Sequence, residues 1–164
     1  MKTIVLSPTE TIPNSPLPLL VLPGAIAPAE ADADAVTALF ENNGWQGTWV
    51  YTVFRYWHYH VEGHEVLACV RGDATVGFGG DGGAAIEMQP GDVVIIPAGV
   101  GHKRLSGSAG FQVVGAYPPG QNGAITKAGD LALEQAAKKI SGLPLPGRDP
   151  VTGEAPGSIA CWRD

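Results

Sequence analysis

Apolar, β-branched and aromatic residues crowd the middle of the chain in four short runs. These are residues 48–54 (TWVYTVF), 66–70 (VLACV), 93–96 (VVII) and 111–114 (FQVV). Turn formers separate them: Gly72-Asp73, Gly79-Gly80-Asp81-Gly82-Gly83, Pro90-Gly91-Asp92, Pro97-Ala98-Gly99 and Ser106-Gly107-Ser108. Short strands at this spacing predict a β-sandwich or barrel. Two stretches carry helical spacing instead. Ala31, Val36, Leu39 and Phe40 predict a helix over residues 29–42, stopped by Asn43-Gly44. Leu133, Ala136, Ala137 and Ile140 predict a second over 130–140, with Asp130 as N-cap and Lys138 and Lys139 at its C-terminal end.

Residues 1–28 hold prolines at 8, 13, 16, 18, 23 and 28. Proline forbids a regular helix and donates no ladder hydrogen bond, so this arm should run extended along a sheet edge. The expected organisation is one domain: an arm and helix over 1–47, a β core over 48–118, and a helix with a Pro/Gly-rich tail over 119–164. A length of 164 residues suits one such core.

Composition sharpens this picture. Charged residues make up only 16% beside 23 glycines and 14 prolines, which favours short strands and turns over a helical bundle. A net charge of −6, with no run of Lys or Arg, excludes a nucleic-acid partner. No stretch is apolar for long enough to cross a bilayer, so no membrane partner is expected. Residues 17–27 (LPLLVLPGAIA) are broken by Pro18 and Pro23 and preceded by the single basic Lys2, unlike a secretory signal. Cys69 and Cys161 are then expected as reduced thiols in a cytoplasmic protein.

The candidate chemistry lies in the four histidines, three of which fall in His58-Tyr59-His60-Val61-Glu62-Gly63-His64-Glu65. On a strand, His58 and His60 project from one side, their α-carbons about 6.6 Å apart at about 3.3 Å per residue. Gly63 supplies a turn conformation that larger residues resist, and Glu65 returns near His60 on the neighbouring strand. His64, in that turn, should face solvent. Downstream, Pro90-Gly91 opens an apolar strand, Pro97-Ala98-Gly99 turns the chain, and His102 starts the next strand.

Parity places Phe54 and Tyr56 on the face of His58, Cys69 on that of Glu65, and Arg104 on that of His102. All four become pocket candidates, Arg104 as an anchor for an anionic group and Cys69 as a thiol in the barrel. Ordinary core or surface roles fit the same parity. Tyr117 is a candidate phenol at the pocket mouth. The glycine run at 79–83 is a hairpin tip; it lacks the Lys-Ser/Thr ending of a phosphate loop.

These residues resemble the two cupin motifs. His58-x-His60, four residues, Glu65, six residues and Gly72 are similar to the first; Gly91, five residues, Pro97-x-Gly99, two residues and His102 are similar to the second. Thr52 stands where the first motif often begins with Gly, and Ser106 where the second often ends with Asn. A longer resemblance is to the YjlB-like group of bacterial cupins. It is carried by residues 40–45 (FENNGW), 64–67 (HEVL), 100–105 (VGHKRL) and 114–118 (VGAYP).

The resemblance implies a mainly β fold, a double-stranded β-helix (the RmlC-like jelly-roll barrel) with one flanking helix on each side. It implies one divalent transition metal inside, held by His58, His60, Glu65 and His102. Three nitrogens and one oxygen suit Fe, Mn, Ni, Zn, Co or Cu rather than Ca or Mg. Positions left for water or substrate suit a Lewis-acid or dioxygen-activating centre.

The function expected is therefore a metal enzyme on a small organic molecule, of oxygenase or isomerase/lyase type. Two alternatives stand beside it: a non-catalytic ligand-binding or sensing cupin, and a metal-free sugar epimerase using His and Tyr as base and acid. A transcription factor would add a basic helix, and neither expected helix is basic. A homodimer is expected, since small barrels bury sheet edges against a second copy.

Overall fold

The four apolar runs contribute strands to one of two facing antiparallel sheets in a computed structural model that describes residues 1–163. In chain order the strands are β1 (Lys2–Leu6), β2 (Ser15–Leu22), β3 (Gln46–Tyr51), β4 (His58–Tyr59), β5 (Glu65–Arg71) and β6 (Ala74–Phe78). There follow β7 (Ala84–Met88), β8 (Val93–Ile96), β9 (His102–Gly107), β10 (Gln112–Tyr117) and β11 (Thr126–Lys127). One sheet runs β1-β2-β8-β5-β10-β3 and the other β11-β4-β9-β6-β7. This is the jelly roll expected from the motifs.

Strands β5 and β8 are buried on both faces, which explains why their sequences are apolar without alternation. Leu67, Cys69, Val94 and Ile96 point between the sheets, where they meet Val76, Phe78 and Val113. Val66, Ala68, Val93 and Ile95 point outward and are covered by Val36 and Phe40 of helix α1 (Ala33–Asn42). Phe40 is fully buried, and truncating such a side chain to Ala costs roughly 3–5 kcal/mol. On the other sheet, Ala136 and Ile140 of helix α2 (Leu133–Ser141) pack on Ile12, Tyr59 and Val61. Each sheet thus carries one helix.

The arm is a β1–β2 hairpin laid on the β8 edge. The β8 ladder takes only Leu20, Val21 and Leu22, past Pro16 and Pro18, so neither proline interrupts it. Helix α1 starts later than expected, at Ala33, because Asp32 caps it by accepting from the Ala35 N–H at 2.9 Å. The segment before it, Pro28–Glu30, is a 3₁₀ turn.

Helix α2 also starts late, and Asp130 does not cap it; Ala132 holds that position without a side-chain bond. The reason lies just upstream. Ala128 N–H donates to Trp57 O, extending the β11–β4 ladder, Gly129 N–H donates to Thr11 O, and Asp130 N–H closes a turn on Lys127 O. Asp130 is thus spent in a turn that ends β11. The tail returns to the outer face of the six-stranded sheet, where Trp162 Nε1–H donates to Pro18 O at 2.8 Å. No helix among the described residues is long and apolar enough to cross a membrane.

Candidate metal centre

Strands β4 and β9 set the first two side chains opposite each other, since His58 pairs in register with His102. Their ring centroids lie 4.2 Å apart. His60 follows just past the end of β4, and its carbonyl accepts from the Gly99 N–H at 2.8 Å. That bond ties the turn before His102 to the first motif. The chain then crosses the barrel, and Glu65 opens β5 in the opposite sheet. Glu65 therefore reaches His60 across the interior and not from a neighbouring strand.

Gly63 does not supply a left-handed turn. Its φ is not positive, and it is needed because a Cβ there would collide with the Asn122 carbonyl, whose residue donates its N–H to Glu62 O. His64 does not face solvent either. It is 2% exposed, its Nδ1 accepts from the Ala98 N–H at 2.9 Å, and its ring lies 5.0 Å from that of Trp162. Burial pushes its pKa down to about 4, so the ring is neutral. The cover comes from residue 121 and the C-terminal tail, distant pieces of chain that leave no local sign in the turn.

The four motif residues are all buried, at 2–4% exposure. Each histidine anchors its ring through Nδ1 to a backbone carbonyl at 3.0 Å: His58 to Tyr56 O, His60 to Ala124 O, His102 to Val100 O. A carbonyl can only accept, so Nδ1 carries the proton, and Nε2 of each neutral ring is left as a lone pair. One ring nitrogen from each of the three lies within 4.8 Å of the others.

Glu65 borders this triad on the side of His60 and His102. Its Oε1 lies 3.2 Å from His60 Nε2 and 3.3 Å from His102 Nε2, and its Oε2 accepts from the Tyr117 hydroxyl at 2.7 Å. Tyr117 in turn accepts from Trp49 Nε1–H at 2.8 Å.

Two lone-pair nitrogens facing one carboxylate oxygen repel unless something positive lies between them. A proton or a metal ion serves, and three nitrogens with one oxygen are donors for a transition ion. The residues present fit such an ion. Charge follows the same logic. Burial pushes the Glu65 pKa up, but the charges and hydrogen bonds of His60 and His102 outweigh it and hold the carboxyl well below its usual range. Burial pulls His60 down, and Glu65 more than reverses this. His58 has no such rescue: burial and the neighbouring His102 push it down to about 3, so it stays neutral and able to ligate.

A cavity of about 300 Å³ opens over the cluster. Trp49, Val53, Leu67 and Tyr117 wall it; Tyr51, Thr52, Phe54, Gly123 and Ile125 stand toward the opening. Of the sequence-predicted pocket residues, Phe54 and Tyr117 line it. Tyr56 stacks on Phe54 at 5.1 Å and meets the His58 ring at 5.6 Å, without lining the cavity. Cys69 sits in the inner core, where its thiol reaches Gly72 O at 3.5 Å and burial pushes its pKa up to about 11. Arg104 is also outside the lining; its backbone N–H donates to Phe54 O at 2.9 Å. Among the residues missed, Leu67 shares the parity of Glu65 and was open to the same argument. Gly123 and Ile125 come from a loop without periodic signal.

Comparison with known proteins adds relatives. The Cupin family model matches residues 54–133. The chain is 41% identical over 152 residues to "Uncharacterized protein YjlB" of Bacillus subtilis (strain 168), covering 92% of this chain and 90% of that protein. Among solved structures, it is similar to an acireductone dioxygenase from Bacillus anthracis with cadmium in its active centre. That match has 13% identity and a TM-score of 0.45 over 66% of this chain and 82% of that one. A structure described under the DMSP lyases RdDddP and RnDddQII matches at 18% identity and a TM-score of 0.36, over 49% and 40%.

Proposed function

This chain belongs to the cupin family together with the YjlB protein, and from that premise we propose that it is a divalent-transition-metal enzyme acting on a small organic molecule. The ligands in this reading are His58, His60, Glu65 and His102, and the ion is Fe, Mn, Ni, Zn, Co or Cu. One observation carries it: three buried imidazoles, each with Nδ1 tied to a carbonyl, bring ring nitrogens within 4.8 Å of one another, and Nε2 of His60 and of His102 faces Glu65 Oε1. When bound, such an ion supplies Lewis-acid polarisation of a substrate oxygen or, if redox-active, activation of dioxygen.

The chain's own groups orient and enclose. The carbonyls of Tyr56, Ala124 and Val100 fix the rings, and Tyr117 holds Glu65 by its second oxygen. Trp49, Val53 and Leu67 keep water from the walls. Both oxygenation and isomerase/lyase chemistry are compatible with this frame.

A second reading, binding without turnover, is favoured by one observation. Tyr117 is the nearest proton donor to the cluster, and its proton is already given to Glu65. A single-domain organisation, a cytoplasmic setting and a two-fold homodimer belong to the same proposal. Val5, 64% exposed on edge strand β1, supports the dimer.

The test is metal analysis of protein purified without chelator or histidine tag, repeated on His58→Ala. About one transition ion per chain, lost in the variant, is the expected result. Wild-type protein that neither retains nor takes up a transition ion would overturn the metal reading and revive the metal-free epimerase alternative.

A further inference from the structure

We propose that the cavity takes a flat, largely apolar molecule with one oxygen-bearing head and no second ionised group, because apolar and aromatic walls surround a single polar floor. This rests on the metal reading above, since the head is what would meet the ion. The floor is His58, His60, Glu65 and His102, and no Lys or Arg is among the residues lining the cavity. A phosphate or second carboxylate on the substrate would shed its water with no cation opposite, which low-polarity surroundings penalise heavily.

The hydroxyls offer little more. Tyr117 donates to Glu65 and accepts from Trp49, so its proton is committed. Thr52 lines the cavity, but its Oγ1 is buried, so it offers the ligand no open polar contact. It cannot neutralise an anion.

Flatness follows from the rings on one side of the opening. Tyr51, 58% exposed, meets Phe54 edge-on at 6.2 Å; Phe54 stacks with Tyr56 at 5.1 Å and 15°; Phe54 meets His58 edge-on at 5.5 Å. A row of rings therefore leads from the surface to a ligand histidine, and rings of a guest pack on such a row in offset or edge-on contact. The volume, about 300 Å³, is at the bottom of the range of about 300–1,000 Å³ usual for small-molecule sites. That is room for one ring with a short substituent.

The experiment is calorimetric titration of the full chain, loaded with Mn and freed of excess ion, with three probes: 4-methylcatechol, phenylpyruvate and 2-oxoglutarate. The first two carry a flat apolar body behind a chelating head; the third adds a second carboxylate. At least tenfold tighter binding of 4-methylcatechol and phenylpyruvate than of 2-oxoglutarate is expected. Ile125→Arg, which places a cation by the opening, should improve 2-oxoglutarate at least tenfold. Equal or tighter binding of 2-oxoglutarate by wild-type protein that holds its Mn would overturn this inference and leave the metal reading standing. So would failure of all three probes to bind that protein. Failure of Mn to load, read separately by metal analysis, would overturn both.

Discussion

The Tyr117 hydroxyl donates to Glu65 Oε2 at 2.7 Å, which leaves Oε1 as the carboxylate oxygen facing His60 and His102. Burial, then the charge of Glu65, pushes the phenol's pKa well up, so this bond persists at any ordinary pH. Tyr117→Phe should lower affinity for the transition ion about 10–100-fold, the usual effect of removing a group that orients a ligand. It should also cost about 1–3 kcal/mol of stability, because Glu65 Oε2 and Trp49 Nε1–H lose a buried partner. Competition against a coloured chelator measures the first and urea unfolding the second. Unchanged affinity would mean that Glu65 needs no such support.

Gly123→Ala tests the same relationship from the other side. A Cβ on Gly123 would collide with the Tyr117 hydroxyl and ring, so Tyr117 must shift away from Glu65. Overpacking of this kind costs about 1–3 kcal/mol. Because both substitutions break one bond, the affinity loss of Gly123→Ala combined with Tyr117→Phe should be smaller than the product of the single losses. A fully multiplicative loss would show that Gly123 acts elsewhere.

Metal ligation and tight turns constrain residue type at short spacing, and that is why the site's outline was legible. His58-x-His60 followed by Glu65, and Gly91 through Pro97 and Gly99 to His102, are local patterns with local causes. What surrounds them is not local. The Trp49–Tyr117 bond joins residues 68 apart, and the Gly63–Asn122 approach has no counterpart in spacing. His64 was expected in solvent because its own turn is polar; the residues that bury it lie far along the chain. The fold divides the same way. Strand runs and one helix on each sheet were readable from periodicity, whereas Asp32 and Asp130 are equally good caps in sequence and only tertiary bonds separate them.

Cys69 should resist alkylation in native protein at pH 8 and react only on unfolding. Burial raises its pKa to about 11, so the thiolate is scarce, and the side chain is fully enclosed. The unfolded thiol ionises near pH 8.5, so above that pH the unfolded state sheds a proton that the native state keeps until about 11. This contribution to stability is therefore complete below about pH 8.5 and declines as pH rises. Mass spectrometry of iodoacetamide-treated protein, with and without urea, gives the answer; rapid native labelling of Cys69 would contradict it.

Asp149 should make the C-terminal tail acid-sensitive. It is 2% exposed and accepts from Val151 N–H at 2.7 Å and Thr152 N–H at 3.1 Å on Oδ1. Its Oδ2 accepts from Ser158 N–H at 2.9 Å and the Ser158 hydroxyl at 2.6 Å. Burial alone would raise its pKa, but these donors outweigh burial and lower it. An unfolded Asp takes its proton near pH 3.9, and the folded one resists to lower pH. The stabilisation is thus complete above about pH 4 and is lost as pH falls through the lower, folded value. Asp149→Asn keeps the shape but turns a donor toward Ser158 or the loop amides, at a cost of about 1–3 kcal/mol at pH 7. Urea unfolding followed by tryptophan fluorescence should show that deficit narrowing by pH 3, since wild-type protein loses its advantage there. Trp45 and Trp162, both hydrogen-bonded across the tail contact, report the transition. A deficit of the same size at pH 7 and pH 3 would show that the Asp149 charge does not hold the tail.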